Sequence, residues 1–125
     1  CYICKRMDDT YRRMVDTFVY QVKHEPEFVD MVKASKGFCV HHFADLVEAC
    51  GEGLSQKEQE QLFPVLFDQM NRELDRMQGD IDWMIEKFDY VNKDKDWKNS
   101  KDAVQRTMQK IVGGYPADPV FRDKK

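Results

Sequence analysis

From Cys4 to Val22 the apolar residues Met7, Tyr11, Met14, Val15, Phe18, Val19 and Val22 recur three and four positions apart. That spacing gathers side chains on one stripe of an α-helix, so the pattern predicts a first helix that buries the stripe. Pro26 ends it and suits the first turn of a second, short helix, with Phe28, Val29, Met31 and Val32 directed inward. Gly37 fits a left-handed cap that stops this piece. A third amphipathic helix begins near Cys39, carries Val40, Phe43, Leu46, Val47 and Cys50, and breaks at Gly51 and Gly53.

Ser55 followed by Glu58 matches a capping box, in which each side chain satisfies a free backbone N–H at a helix start. From Gln56 to about Tyr90, Phe63, Leu66, Met70, Leu74, Met77, Ile81, Met84 and Phe88 keep helical spacing. This predicts a helix on the order of 50 Å long. Pro64 should kink or split it, because proline removes a hydrogen bond and clashes with the preceding turn. Gly79 reads as a second weak point or a close helix crossing. Past Tyr90 the chain is polar except for Trp97, read as the anchor of a solvated loop. Asn99 or Ser100 then caps a last helix through Ala103, Val104, Met108 and Ile111, ended by Gly113 and Gly114. The expected fold is all-α, a bundle of four to five helices around the long kinked one at about 56–90. Residues 1–114 form a single helical domain, and 115–125 an extended or disordered tail.

Composition changes this picture little. A chain of 125 residues, 42% apolar and 34% charged, builds a core without needing a staple. The net charge of −3 disfavours a nucleic-acid partner. Apolar runs such as FVDMV are far short of the roughly twenty residues that cross a bilayer. No membrane association is expected, and a cytoplasmic location is. The chain starts at Cys1 without Met, so it is read as part of a longer protein trimmed at its start.

The chemistry lies in four cysteines and three histidines. Cys1 and Cys4 form a CxxC pair, and Cys39 with His42 forms a C-x-x-H pair of the same gap at the start of the third helix. Zinc takes four thiolate or imidazole ligands in a tetrahedron, and such pairs at helix starts present two ligands each. The helix dipole there favours thiolate, which serves a metal and a redox cysteine alike. A redox pair has no need of a second matched pair, so one zinc on Cys1, Cys4, Cys39 and His42 is the favoured reading. An iron–sulfur cluster with one histidine ligand ranks lower. His42 is preferred to His41 because it shares the face of Cys39 with Phe43 and Leu46. Cys50, eleven residues past Cys39, is expected to be a buried structural thiol, and His24 a cation at a helix end.

Other motifs fail on inspection. NKDKDWKNSKDA, residues 92–103, alternates acidic and amide side chains as a calcium loop does. Trp97, however, stands where glycine must turn, and Ala103 where a bidentate Glu should close the cage. Asp80 and Asp82 fall on different faces and read as solvent charge. No nucleophile and base pair, phosphate loop or dinucleotide fingerprint is visible.

CYIC, KGFCVHHF and the segment DIDWMIEKFDYVNKDKDWKNSKDAVQRTMQKIVG together resemble an uncharacterised bacterial family, a domain of unknown function. The resemblance covers the chain up to Gly114. It implies the same ligand assignment, and a pair of motifs that occurs twice in longer relatives, this chain being the later half. It further implies that Trp97, Asn99, Ser100, Lys101 and Asp102 matter beyond solubility, chiefly for folding the loop onto the long helix. It brings no reaction. The functional expectation is therefore a zinc-binding structural or protein-interaction module, more a binding protein than an enzyme. A thiol redox or metal-responsive sensor using the CxxC pair is the alternative, and a zinc enzyme ranks last. A homodimer through the long helix and an unidentified protein partner are the expected associations.

Overall fold

The computed structural model describes residues 1–114. They form α1 (Tyr2–His24), α2 (Pro26–Ala34), α3 (Val40–Gly53), α4 (Gln56–Glu86) and α5 (Ala103–Val112), with a 3-10 turn at Tyr90–Asn92 between the last two. No strand occurs among the described residues, so the fold is all-α as the periodicity predicts. The predicted tail lies outside the described residues.

Local chemistry sets most boundaries. Pro26 is the first residue of α2, where its missing N–H has no helical partner to lose. The capping box forms: the Ser55 N–H donates to Glu58 Oε2 at 2.8 Å, and the Glu58 N–H reaches back to Ser55 Oγ at 3.5 Å. Gly113 ends α5 in the left-handed region at φ +79°. Other boundaries differ from the sequence reading. Helix α4 passes Pro64 without being split and stops at Glu86, not Tyr90. The buried Leu62 and Leu66 on either side of the proline hold those turns against the core. Helix α3 runs through Gly51 to Gly53. It ends there as the sequence predicts, and a Cβ on Gly53 would come 2.8 Å from Val19 Cγ1, so this glycine also serves close approach to α1. Gly79 has open space around it and marks no crossing. Helix α2 stops at Ala34, where the Ser35 hydroxyl donates to the Val32 carbonyl, and Gly37 follows with φ +69°. Helix α5 begins after Asp102, not at Asn99 or Ser100.

The core is Phe18, Val32, Leu46, Cys50, Leu54, Leu62 and Leu66. Phe18 meets Phe28 and Phe38 edge to face at 5.2 and 5.7 Å. Each buried leucine contributes about 1.5–3 kcal/mol relative to exposure. Helices α1 and α3 run parallel, because Tyr11 meets Asp45 near the start of α3 and Val19 meets Gly53 at its end. Helix α4 runs antiparallel to α3: Gln59 donates to the carbonyls of Gly51 and Leu54, and Phe67 packs on Phe43. Helix α5 returns along α4, with Arg106 on Asp80. Part of the predicted burial does not occur. Met7 and Met14 are 67% and 65% exposed, and Met31 and Phe88 also face out. Residues 1–8 are exposed throughout, so no neighbouring helix covers this end of the stripe and Met7 stays in solvent. Met14 sits at the edge of the stripe.

Candidate functional site

The two ligand pairs occupy equivalent places on neighbouring helices. Cys1 is the N-cap of α1 and Cys4 lies in its first turn; Cys39 is the N-cap of α3 and His42 lies in its first turn. Neither N-cap makes a side-chain capping bond, so both helix starts keep unpaired N–H groups that favour a negative ligand. All four cysteines are free thiols; Cys1 and Cys4 are exposed, Cys39 half-buried and Cys50 buried.

Around Cys39 and His42 the surroundings are ordered by contacts from three helices. The Tyr11 ring lies 5.1 Å from the His42 ring, and its hydroxyl donates to Asp45 Oδ2 at 2.5 Å. Burial, the bond to Asp45 and the charges of Asp45 and Cys39 together push the Tyr11 phenol up to about 12. It therefore stays protonated and donating at neutral pH. From the other side the C-terminus of α5 closes in: a Cβ on Gly113 would come 3.4 Å from Cys39 Sγ. Lys110 is buried nearby and donates to the Lys36 carbonyl at 3.0 Å; burial lowers its pKa. His41 is exposed.

The structure brings Cys39 and His42 together with Tyr11 and Asp45, but leaves Cys1 and Cys4 on the exposed first turn of α1. Cys4 is seven residues before Tyr11, about 10 Å along the axis. Among the described residues no group of three or more His, Cys, Asp or Glu side chains is gathered to hold a metal ion. The donor types fit zinc; their present spacing does not close a tetrahedron, whose ligand bonds are about 2.0–2.3 Å.

Behind this end, the α4–α5 loop is organised by a residue that sequence reasoning missed. Lys87 is buried, and its ammonium donates to the carbonyls of Asn92 and Lys93 at 2.8 Å each and to that of Lys95. The Trp97 ring centroid lies 5.2 Å away. A lysine just past a helix C-terminus is a cation placed to meet carbonyls, and that position is the one signal in the chain, unspecific as to which carbonyls it meets. Trp83 Nε1 donates to the Asp96 carbonyl at 3.0 Å, and the fully buried Ser100 hydroxyl to that of Trp97 at 2.7 Å. Asp80 is not solvent charge: it accepts Arg106 at 3.0 Å and Arg76 at 3.4 Å, while Arg76 also holds Glu73 at 2.9 Å. Arg106 further meets Asp102 at 2.9 Å and the Asn99 carbonyl. His24, at the end of α1, bonds the Tyr20 carbonyl through Nδ1 at 2.8 Å.

Residues 1–118 match the model of a family described as a family of unknown function (DUF6062). No curated protein and no solved structure matches the chain. No helix of the described residues is long and apolar enough to cross a membrane.

Proposed function

The chain belongs to that family of unknown function, and on this premise we propose that it is a structural or protein-interaction module in which Cys1, Cys4, Cys39 and His42 hold one zinc ion. The observation that carries the reading is the parallel packing of α1 and α3, read from Tyr11 against Asp45 and Val19 against Gly53. Antiparallel helices would send the two pairs to opposite ends of the molecule; parallel ones start both at the same end. Residues 1–8 are exposed throughout, so the start of α1 can settle toward Cys39 and His42 without breaking core contacts. Four protein ligands leave no open coordination position, which suits a structural ion. Binding would contribute folding energy directly and fix the start of α1 to α3. The exposed Tyr2, Ile3 and Met7 around Cys4 support the interaction half of the reading.

The test is metal content of the purified chain, with thiol titration before and after chelation. One zinc per chain is expected, with three thiols protected until the chelator is added and the thermal midpoint falling on its addition. Metal-free protein with Cys1 and Cys4 freely titratable would overturn the zinc reading. The exposure of those two thiols favours one second reading, a redox pair. In it the dithiol loses two electrons and two protons to a disulfide oxidant, forming the Cys1–Cys4 bond and releasing any ion they hold.

A further inference from the structure

Five cationic side chains from four parts of the chain line one pocket of about 370 Å³: Lys36 between α2 and α3, Arg76 on α4, Lys98 and Lys101 in the loop, and Arg106 on α5. The two arginines are already paired, Arg76 with Glu73 and Asp80, and Arg106 with Asp80 and Asp102. The three lysines have no carboxylate within 4.0 Å among the described residues. In a chain of net charge −3, this is a local excess of positive charge in a concave place, whose other lining residues are Asn99 and the paired Asp102.

The position of Lys98 is specific. It is the one non-glycine residue with positive φ among the described residues, at +52°, a conformation that glycine adopts freely and lysine does not. Its ammonium is held 4.0 Å from the Trp83 ring centroid. The Lys87 cage and the Trp83 and Ser100 bonds fix the backbone that carries it, and the Asp80 pairs fix the two guanidinium groups. The Lys98 backbone and the two guanidinium groups are thus held by the fold before any ligand arrives, while the Lys36 and Lys101 side chains are exposed beside them. The volume is at the small end of small-molecule sites. Lysine point charges beside arginine forks match the several oxygens of a phosphate group.

We propose that this pocket binds a compact phosphate-bearing anion of charge two or more, using Lys36, Lys98 and Lys101. The site is independent of the zinc reading. The probe is inorganic pyrophosphate, titrated into the isotopically labelled full chain at low salt while amide chemical shifts are followed. Citrate, a carboxylate anion of similar charge, forms the comparison arm. Saturable shifts are expected at Lys36 and over residues 98–106, and not at Cys1, Cys4 or Cys39, which separates binding from chelation of metal. Lys98→Gly should weaken the affinity about tenfold or more. Its thermal midpoint should hold or rise, because glycine relieves the positive φ. Lys101→Ala should weaken binding similarly, and Lys5→Ala, on the exposed start of α1, should leave it unchanged. Unsaturable or scattered shifts would overturn the proposal. So would wild-type affinity in both Lys98→Gly and Lys101→Ala, or citrate binding as tightly as pyrophosphate.

Discussion

Replacing Lys87 with Met keeps the apolar stem beside Trp97 and removes only the ammonium. In the native loop that ammonium makes three hydrogen bonds, to the carbonyls of Asn92, Lys93 and Lys95, in a nearly solvent-free place. A hydrogen bond to a charged group nets about 1.5–3 kcal/mol, so three of them in a loop that could not adjust would lose about 4.5–9 kcal/mol. Without the ammonium, however, the loop can open and give the freed carbonyls to water. The variant is also spared the desolvation of an ammonium. These two reliefs bring the expected loss down to about 3–4 kcal/mol, still a large share of the stability of a domain this size. Urea unfolding would read the loss. Hydrogen exchange over residues 92–102 would locate it, with protection falling there and persisting at Leu46, Leu62 and Leu66. Because the loop carries Lys98 and Lys101, pyrophosphate shifts should vanish in the same variant. A loss below about 1 kcal/mol with loop protection unchanged would refute the reasoning, since the carbonyls would then be satisfied without the ammonium.

Two further outcomes follow from buried groups elsewhere. Gly37→Ala would place a Cβ about 2.0 Å from the Gln69 amide at a backbone φ of +69°, forcing Gln69 off its 3.1 Å bond to the Ser35 carbonyl. The expected cost is about 2–4 kcal/mol in urea unfolding, and a cost under about 1 kcal/mol would contradict the geometry. Burial pushes the Cys50 thiol up to about 11, against 9.0 for an ordinary thiol. The folded state therefore keeps its proton longer, and the contribution is full below pH 9 and lost as pH rises through 11. Wild type should lose about 2–3 kcal/mol more than Cys50→Ala over that window. Parallel stability curves for the two would sink the argument.

How much was legible in the chain differs from element to element. Periodicity sufficed for the existence of all five helices, because an apolar stripe at three and four spacing can be buried in no other regular form. Pro26, the Ser55–Glu58 box and Gly113 act through their nearest neighbours, so their roles could be read directly. Cys50 was legible as a buried thiol because it continues the stripe of Phe43, Leu46 and Val47. Met7, Met14 and Asp80 were misread for one reason: the fate of a side chain depends on which element lies opposite, and sequence spacing does not carry that. Lys87 was hidden because its three acceptors are backbone carbonyls, which every residue has.

The candidate site divides along the same line. The residue types and matched gaps at Cys1, Cys4, Cys39 and His42 are properties of the sequence, and they define the ligand chemistry. That α1 and α3 run parallel, bringing both pairs to one end, is decided by long-range contacts such as Tyr11 with Asp45. The cationic pocket depends on tertiary structure more fully still. Its lysines are separated by more than sixty residues, Lys36 from Lys98, and look like ordinary surface charge until α5 folds back along α4. Helix formation is local, set by hydrogen bonds four residues apart, and so the sequence by itself determined the helices. Which faces are covered and which charges converge depends on packing between distant segments, and only the folded chain decides that.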